Sequence, residues 1–223
     1  MKQKINLPTK ITISRIVLAF CLILSIFIMY LVDEFHPFIS NANLYIGSSG
    51  AYVNYIMVII FAVFVIASLT DFLDGYLARK NNQVTDLGKF LDPIADKMLV
   101  NSMLVFLSIN FVSLNDHLRF PFFCVILMII RDLVVDGLRF MAATKKVVIS
   151  ANIYGKLKTV FQMIALSIVL LNGFPFNLFD SNWIRYLHIS DIFCYIATLI
   201  SLISGVIYLT ENIHMIIGGK NNE

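Results

Sequence analysis

Four aspartates hold the residue types and spacing in this chain that most directly suggest chemistry. They read Asp71-Phe-Leu-Asp74-Gly75-Tyr-Leu-Ala78-Arg79, then eight intervening residues, then Gly88-Lys-Phe-Leu-Asp92-Pro-Ile-Ala-Asp96. Long apolar runs flank them, and an ionised carboxylate buried unpaired near lipid is costly. Asp71 and Asp74 are three residues apart and share a face of any continuous helix. Gly88, Asp92 and Asp96 recur at intervals of four and line one face of the next. A short polar connection, Lys80 to Asp86, makes the two helices antiparallel neighbours, so the four carboxylates can converge. Close like charges would keep some of them protonated unless cations bind. Hard divalent ions with oxygen ligands suit this set, which has no thiolate or histidine nearby. Two such ions would offset four negative charges, and a two-ion clamp suits in-line displacement at phosphorus.

Neighbouring residues carry two readings each. Gly75 and Ala78 permit either close helix packing or close approach of a ligand to the backbone. Arg79 either snorkels to the membrane interface or grips diphosphate oxygens. Asp86 follows Thr85 at the expected start of a helix and reads as its cap, outside the site.

A second cluster is basic: Arg131, Arg139, Lys156 and Lys158. Topology alone accounts for Lys145 and Lys146 nearby. Arg131 differs, because it falls about two turns inside an apolar helix by the 3.6-residue period. It calls for a partner, and Asp132, Asp136 or a bound anion are candidates. Arg139 lies eight residues further on and can share its face. A phosphate-bearing molecule explains the cluster better than a neutral one would. His36, His117, His188 and His214 lie away from the aspartates, so no catalytic histidine is expected.

The elements that must position these groups are membrane helices. The 223 residues are 59% hydrophobic and 14% charged, with a mean hydropathy of +0.83, too apolar for a water-soluble domain of this length. The run from Ile11 to Val32 exceeds the roughly 20 residues that cross a bilayer and lacks a signal-peptide cleavage pattern. Six helices are predicted, at about 11–32, 53–79, 87–113, 121–143, 151–172 and 190–215. The expected fold is an all-α, multi-pass integral membrane protein, one domain over 1–223. Of 17 basic residues, only Arg119 and Arg185 fall in the connections assigned to the outer side. The excess of Lys and Arg elsewhere puts both termini, and the aspartates at the ends of helices two and three, in the cytoplasm. Lys2, Lys4, Lys10 and Arg15 flank a stretch that either lies along an anionic membrane surface or simply orients the first helix. Trp183 and Tyr186 read as interfacial anchors, and Cys21, Cys124 and Cys194 as buried small hydrophobes.

The aspartate pattern resembles the signature of the CDP-alcohol phosphatidyltransferase family, Asp-x2-Asp-Gly-x2-Ala-Arg-x8-Gly-x3-Asp-x3-Asp, and all eight fixed positions match. The resemblance covers most of the chain and implies six helices with the motif across the second and third. Softer matches point to the branch whose acceptor is glycerol 3-phosphate: Asn6-Leu-Pro8-Thr-Lys-Ile-Thr12-Ile-Ser-Arg15, Ile130-Arg131-Asp132, Gly137-Leu-Arg139 and Gly155-Lys156-Leu-Lys158-Thr159-Val-Phe-Gln162. This chain departs at Thr9, where many relatives have Asn, and at Asp132, where relatives often have Glu.

The resemblance implies transfer of a phosphatidyl group from CDP-diacylglycerol to glycerol 3-phosphate in the cell membrane, with CMP leaving. It implies two Mg2+ or Mn2+ ions held by Asp71, Asp74, Asp92 and Asp96, with Asp96 also the general base. Asp71, Asp74, Gly75, Ala78 and Arg79 would bind CDP-diacylglycerol, while Arg131, Arg139, Lys156 and Lys158 would bind glycerol 3-phosphate. It also implies a homodimer among membrane lipids, and no nucleic-acid partner is expected. Two alternatives stand: another acceptor (inositol phosphate, serine or phosphatidylglycerol), or a transporter, since intramembrane charges also mark permeation paths. Against transport, the charges gather at one boundary, and helices one, two, five and six show few mid-membrane polar residues.

Overall fold

A computed structural model describes residues 7–35, 43–46, 51–80, 86–109, 118–144, 153–178 and 189–217. Six helices account for most of them: α1 (Leu7–Phe35), α2 (Tyr55–Lys80), α3 (Asp86–Ser108), α4 (Phe122–Thr144), α5 (Ile153–Leu170) and α6 (Ile189–Ile217). Each lies within a few residues of its predicted span. The basic residues Lys2 and Lys4, the pair Lys145 and Lys146, His36, His117, His188, Trp183 and Tyr186 lie outside the described residues.

Among the described residues, three stretches are long and apolar enough to cross a bilayer: Thr12–Val32, Ile153–Leu170 and Ile189–His214, with Tyr55–Thr70 a shorter apolar run. Helices α3 and α4, at 23 residues each, have the length. Their charges set them apart: Asp92, Asp96 and Lys97 on α3, and Arg131, Asp132, Asp136 and Arg139 on α4. Burial follows the inverted logic of a protein in lipid. On α1, Thr12 and Arg15 are buried, while Phe20, Leu24, Phe27 and Leu31 are exposed. Hydroxyls inside helices donate to carbonyls of their own preceding turn, as Ser68 to Phe64, Ser167 to Met163 and Thr198 to Cys194. That satisfies each polar group without water.

The chain divides into two compact units. The first, Met1–Arg119 with Leu170–Phe174, packs α1 against α2 and α3 around Ala19, Met57, Phe64, Leu99 and Met103. It also holds a hairpin of β1 (Asn43–Ile46) and β2 (Ala51–Asn54), antiparallel with Asn43 opposite Asn54, so that Val53 and Asn54 are strand where the second helix is predicted to begin. Asn54 then caps α2, its Oδ1 accepting from the Ile56 amide at 2.9 Å. Asn172 ties this unit's connections together. Its Nδ2 donates to the Tyr52 carbonyl at 3.0 Å, and its Oδ1 accepts from the Leu118 amide at 2.9 Å. Asn172 and Gly173 both have positive φ, 51° and 79°. Such backbone ends a helix, so α5 stops at Leu170, not at 172.

The second unit, Phe120–Val169 with Pro175–Glu223, packs α4 against α6. The buried face of α6 is built from small residues, Cys194, Ala197, Ser201, Ser204 and Gly205. Small side chains let two helices approach closely where lipid supplies no hydrophobic drive to associate.

Candidate active site

The backbone lays the aspartate motif on two consecutive helices of the first unit. Asp71, Asp74, Gly75, Ala78 and Arg79 occupy the last stretch of α2, while Gly88, Asp92 and Asp96 lie on the opening turns of α3. Helices α2 and α3 pack together. Lys80 ends one and Asp86 begins the other, so the connection holds the two ends within about 20 Å even when fully stretched. The helical spacing predicted for each aspartate pair is present. The side chains of Asp71, Asp74, Gly75, Ala78, Arg79, Asp86, Gly88 and Asp92 lie outside the described residues. Asp96 is half-buried, beside the fully buried Ala95. The four carboxylates that the sequence supplies here fit hard divalent cations.

The basic cluster belongs to the second unit, where its members have distinct surroundings. Lys158 on α5 and Asp132 on α4 form a buried pair, with Nζ at 2.9 and 2.8 Å from the two carboxylate oxygens. Arg131 uses all three guanidinium nitrogens. Nη1 donates to Asp132 Oδ1 at 3.1 Å, Nε to the Ser201 carbonyl at 3.1 Å, and Nη2 to Ser204 Oγ at 2.6 Å. The partner that Arg131 required is therefore Asp132 together with α6. Arg139, two turns further along α4, is exposed; its Nε donates to Tyr208 Oη at 3.1 Å and its Cζ lies 5.3 Å from that ring's centroid. Lys156 is exposed on α5. The structure thus joins Arg131 and Lys158 through one carboxylate and seats Arg139 separately on Tyr208.

Sequence reasoning passed over the α6 groups Ser201, Ser204, Gly205 and Tyr208. Their signal was present as small and polar residues at helical spacing inside an apolar run. Helix α6 holds more buried polar groups than expected, including Thr198, Ser201, Ser204 and Asn212. Thr198 and Asn212 bond back to their own helix, and Ser204 does so while also receiving Arg131. Gln162, one turn beyond Lys158, is 1% exposed, and its Nε2 has no hydrogen-bond partner among the described residues. A buried donor left unpaired is costly.

The chain is similar in sequence to known proteins. The sequence model of the CDP-alcohol phosphatidyltransferase family matches residues 5–207, which include parts of both units. A Bacillus subtilis (strain 168) protein named CDP-diacylglycerol–glycerol-3-phosphate 3-phosphatidyltransferase is 37% identical over 207 residues, 93% of this chain and 95% of its own. A Mycoplasma pneumoniae protein of the same name is 36% identical over 213 residues, covering 92% and 87%. One from Mycoplasma genitalium, also so named, is 48% identical over a shorter stretch of 104 residues, 47% of this chain and 41% of its own. By its matched length and its complete aspartate signature, the chain belongs to the CDP-alcohol phosphatidyltransferase family.

Proposed function

We propose that this protein transfers the phosphatidyl group of CDP-diacylglycerol to sn-glycerol 3-phosphate, giving phosphatidylglycerophosphate and CMP. The observation that carries the reading is the eight-position motif laid on the adjoining ends of α2 and α3. The shared name of relatives that align over nearly the whole chain supports the acceptor.

Asp71, Asp74, Asp92 and Asp96 would hold two divalent cations, Mg2+ or Mn2+, which would supply positive charge against the diphosphate and the leaving CMP. The chain's own residues do the rest. Arg79 grips diphosphate oxygens, and Gly75 and Ala78 leave room for the cytidine portion against α2. Asp96 takes the proton from the acceptor's hydroxyl as that oxygen bonds to the phosphorus bearing diacylglycerol. The bond from this phosphorus to the CMP oxygen breaks, and CMP carries away the bonding electrons. Arg139, Lys156 and Lys158 receive the acceptor's own phosphate, and Gln162, whose buried Nε2 has no partner among the described residues, lies one turn further along α5. Arg131 belongs to the same cluster.

The reading extends to topology and assembly. All six helices span the membrane as one catalytic domain, with both termini and the aspartates on the cytoplasmic side, as the distribution of Lys and Arg supports. A homodimer in the cell membrane is the assembly adopted from the family resemblance. The test is an acceptor competition: purified protein, CDP-diacylglycerol, and glycerol 3-phosphate offered against inositol phosphate, serine and phosphatidylglycerol. Glycerol 3-phosphate should dominate the product. Preference for another acceptor would overturn the acceptor while leaving the aspartate chemistry in place, and no CMP release with any of them would favour transport.

A further inference from the structure

The Asp132 network has an order to it that bears on how the acceptor is held. Lysine carries a compact charge on a flexible four-carbon stem, whereas the guanidinium is a rigid fork. In the second unit the fork is the fixed end. Arg131 reaches α6 through the Ser201 carbonyl and Ser204 Oγ, and Ser204 is itself held by a bond to the Ser201 carbonyl at 3.0 Å. Gly205 makes room for it: a Cβ there would lie 2.7 Å from Arg131 Cγ and 3.2 Å from Nε. The fork holds Asp132 Oδ1, and both oxygens of Asp132 hold the Lys158 ammonium. Asp132 is 5% exposed and Lys158 6%, so this chain of contacts is shielded from solvent.

We propose that Asp132 is a positioning residue for the acceptor: anchored to α6 through Arg131, it fixes the Lys158 ammonium where the acceptor's phosphate is received, and Gly205 is the notch that admits Arg131. Arg131 then acts through Asp132, which its Nη1 holds while Nε and Nη2 are turned to α6. This inference rests on the acceptor reading above and sharpens it, because it divides four similar basic residues into three that meet the anion and one that braces another.

The experiment is a double-mutant cycle in the full-length purified protein, varying glycerol 3-phosphate and CDP-diacylglycerol in turn. Asp132→Asn should raise KM for glycerol 3-phosphate by about tenfold, as expected for misplacing one charge-assisted hydrogen bond. In a Lys158→Met background the same change should add less than about threefold, because Asp132 works through Lys158. Asp132→Glu should recover most of the loss, and KM for CDP-diacylglycerol should stay within about twofold throughout. An unchanged acceptor constant in Asp132→Asn, effects that multiply in the double variant, or equal shifts for both substrates would each overturn the proposal. Should Asp132→Asn not fold, as judged by thermal unfolding, Gly205→Ala and Ser204→Ala decide the matter. Gly205→Ala crowds Arg131 and Ser204→Ala removes the hydroxyl its Nη2 meets, so each should raise the acceptor constant by roughly three- to tenfold; no change in folded protein overturns the proposal. Wild-type turnover separates the two claims. If wild type does not use glycerol 3-phosphate, the acceptor reading fails. If wild type does and Asp132→Asn is neutral, only the positioning role fails.

Discussion

On α2 and α3 the aspartates stand close in sequence, three or four residues apart, and ordinary helix geometry gathers each pair without help from the rest of the molecule. On α4, α5 and α6 the basic residues are gathered by contacts across long separations. Lys158 meets Asp132 from 26 residues away, and Arg131 meets Ser204 from 73. The first region's sequence supplies carboxylate oxygens suited to cations; in the second, Arg131 and Lys158 share one carboxylate of the protein itself. A metal site can be built from a local repeat because the ion supplies the missing charge. An anion site of long side chains needs internal struts, since flexible cations otherwise repel one another and lose order.

Removing what the first region depends on should have the largest effect. Chelation should abolish CMP release, and Mg2+ or Mn2+ should restore it; full activity after exhaustive chelation would break the comparison at its root. Asp96→Asn should lower turnover by about 10²–10⁴-fold, the usual worth of a general base. It should retain more CDP-diacylglycerol binding than Asp71→Asn, measured by equilibrium binding of the lipid nucleotide. Equal loss of binding in both would show that ligand and base are not separate roles.

That difference also explains what was legible in the sequence. Six helices and their approximate limits followed from apolar runs, and the aspartate faces followed from spacing, because both depend on neighbours within a turn or two. The hairpin did not announce itself: Asn43 to Asn54 is short and mixed, and its position depends on Tyr52 meeting Asn172, 120 residues away. The end of α5 was overrun because Asn172 and Gly173 adopt left-handed backbone after an uninterrupted apolar run. In the basic cluster Asp132 stands among the partners the sequence offers Arg131, but the groups on α6 do not. Nothing local tells that Arg131 turns toward Ser201 and Ser204, or that Gly205 clears its path.

Two smaller effects sharpen the contrast from the side of stability. Asn172→Ala removes both side-chain bonds that tie the connections of the first unit and should cost about 1–3 kcal/mol. Asn54→Ala removes one helix cap and should cost about 1 kcal/mol. Both are read by denaturation in a fixed detergent, and neither should change the preference among acceptors. A switch of acceptor in either variant would show that the connections help to select the substrate.

The most direct test of the division of labour is a crossed pair of kinetic measurements on Arg79→Ala and Lys156→Ala, each checked for folding. Arg79→Ala should raise KM for CDP-diacylglycerol by about tenfold or more and leave that for glycerol 3-phosphate nearly unchanged. Lys156→Ala should do the reverse by a similar factor, at about 1.4 kcal/mol per tenfold and roughly 1.5–3 kcal/mol for a charge-assisted hydrogen bond. If both variants raise both constants together, or if neither moves the constant assigned to it, the two regions do not hold separate substrates.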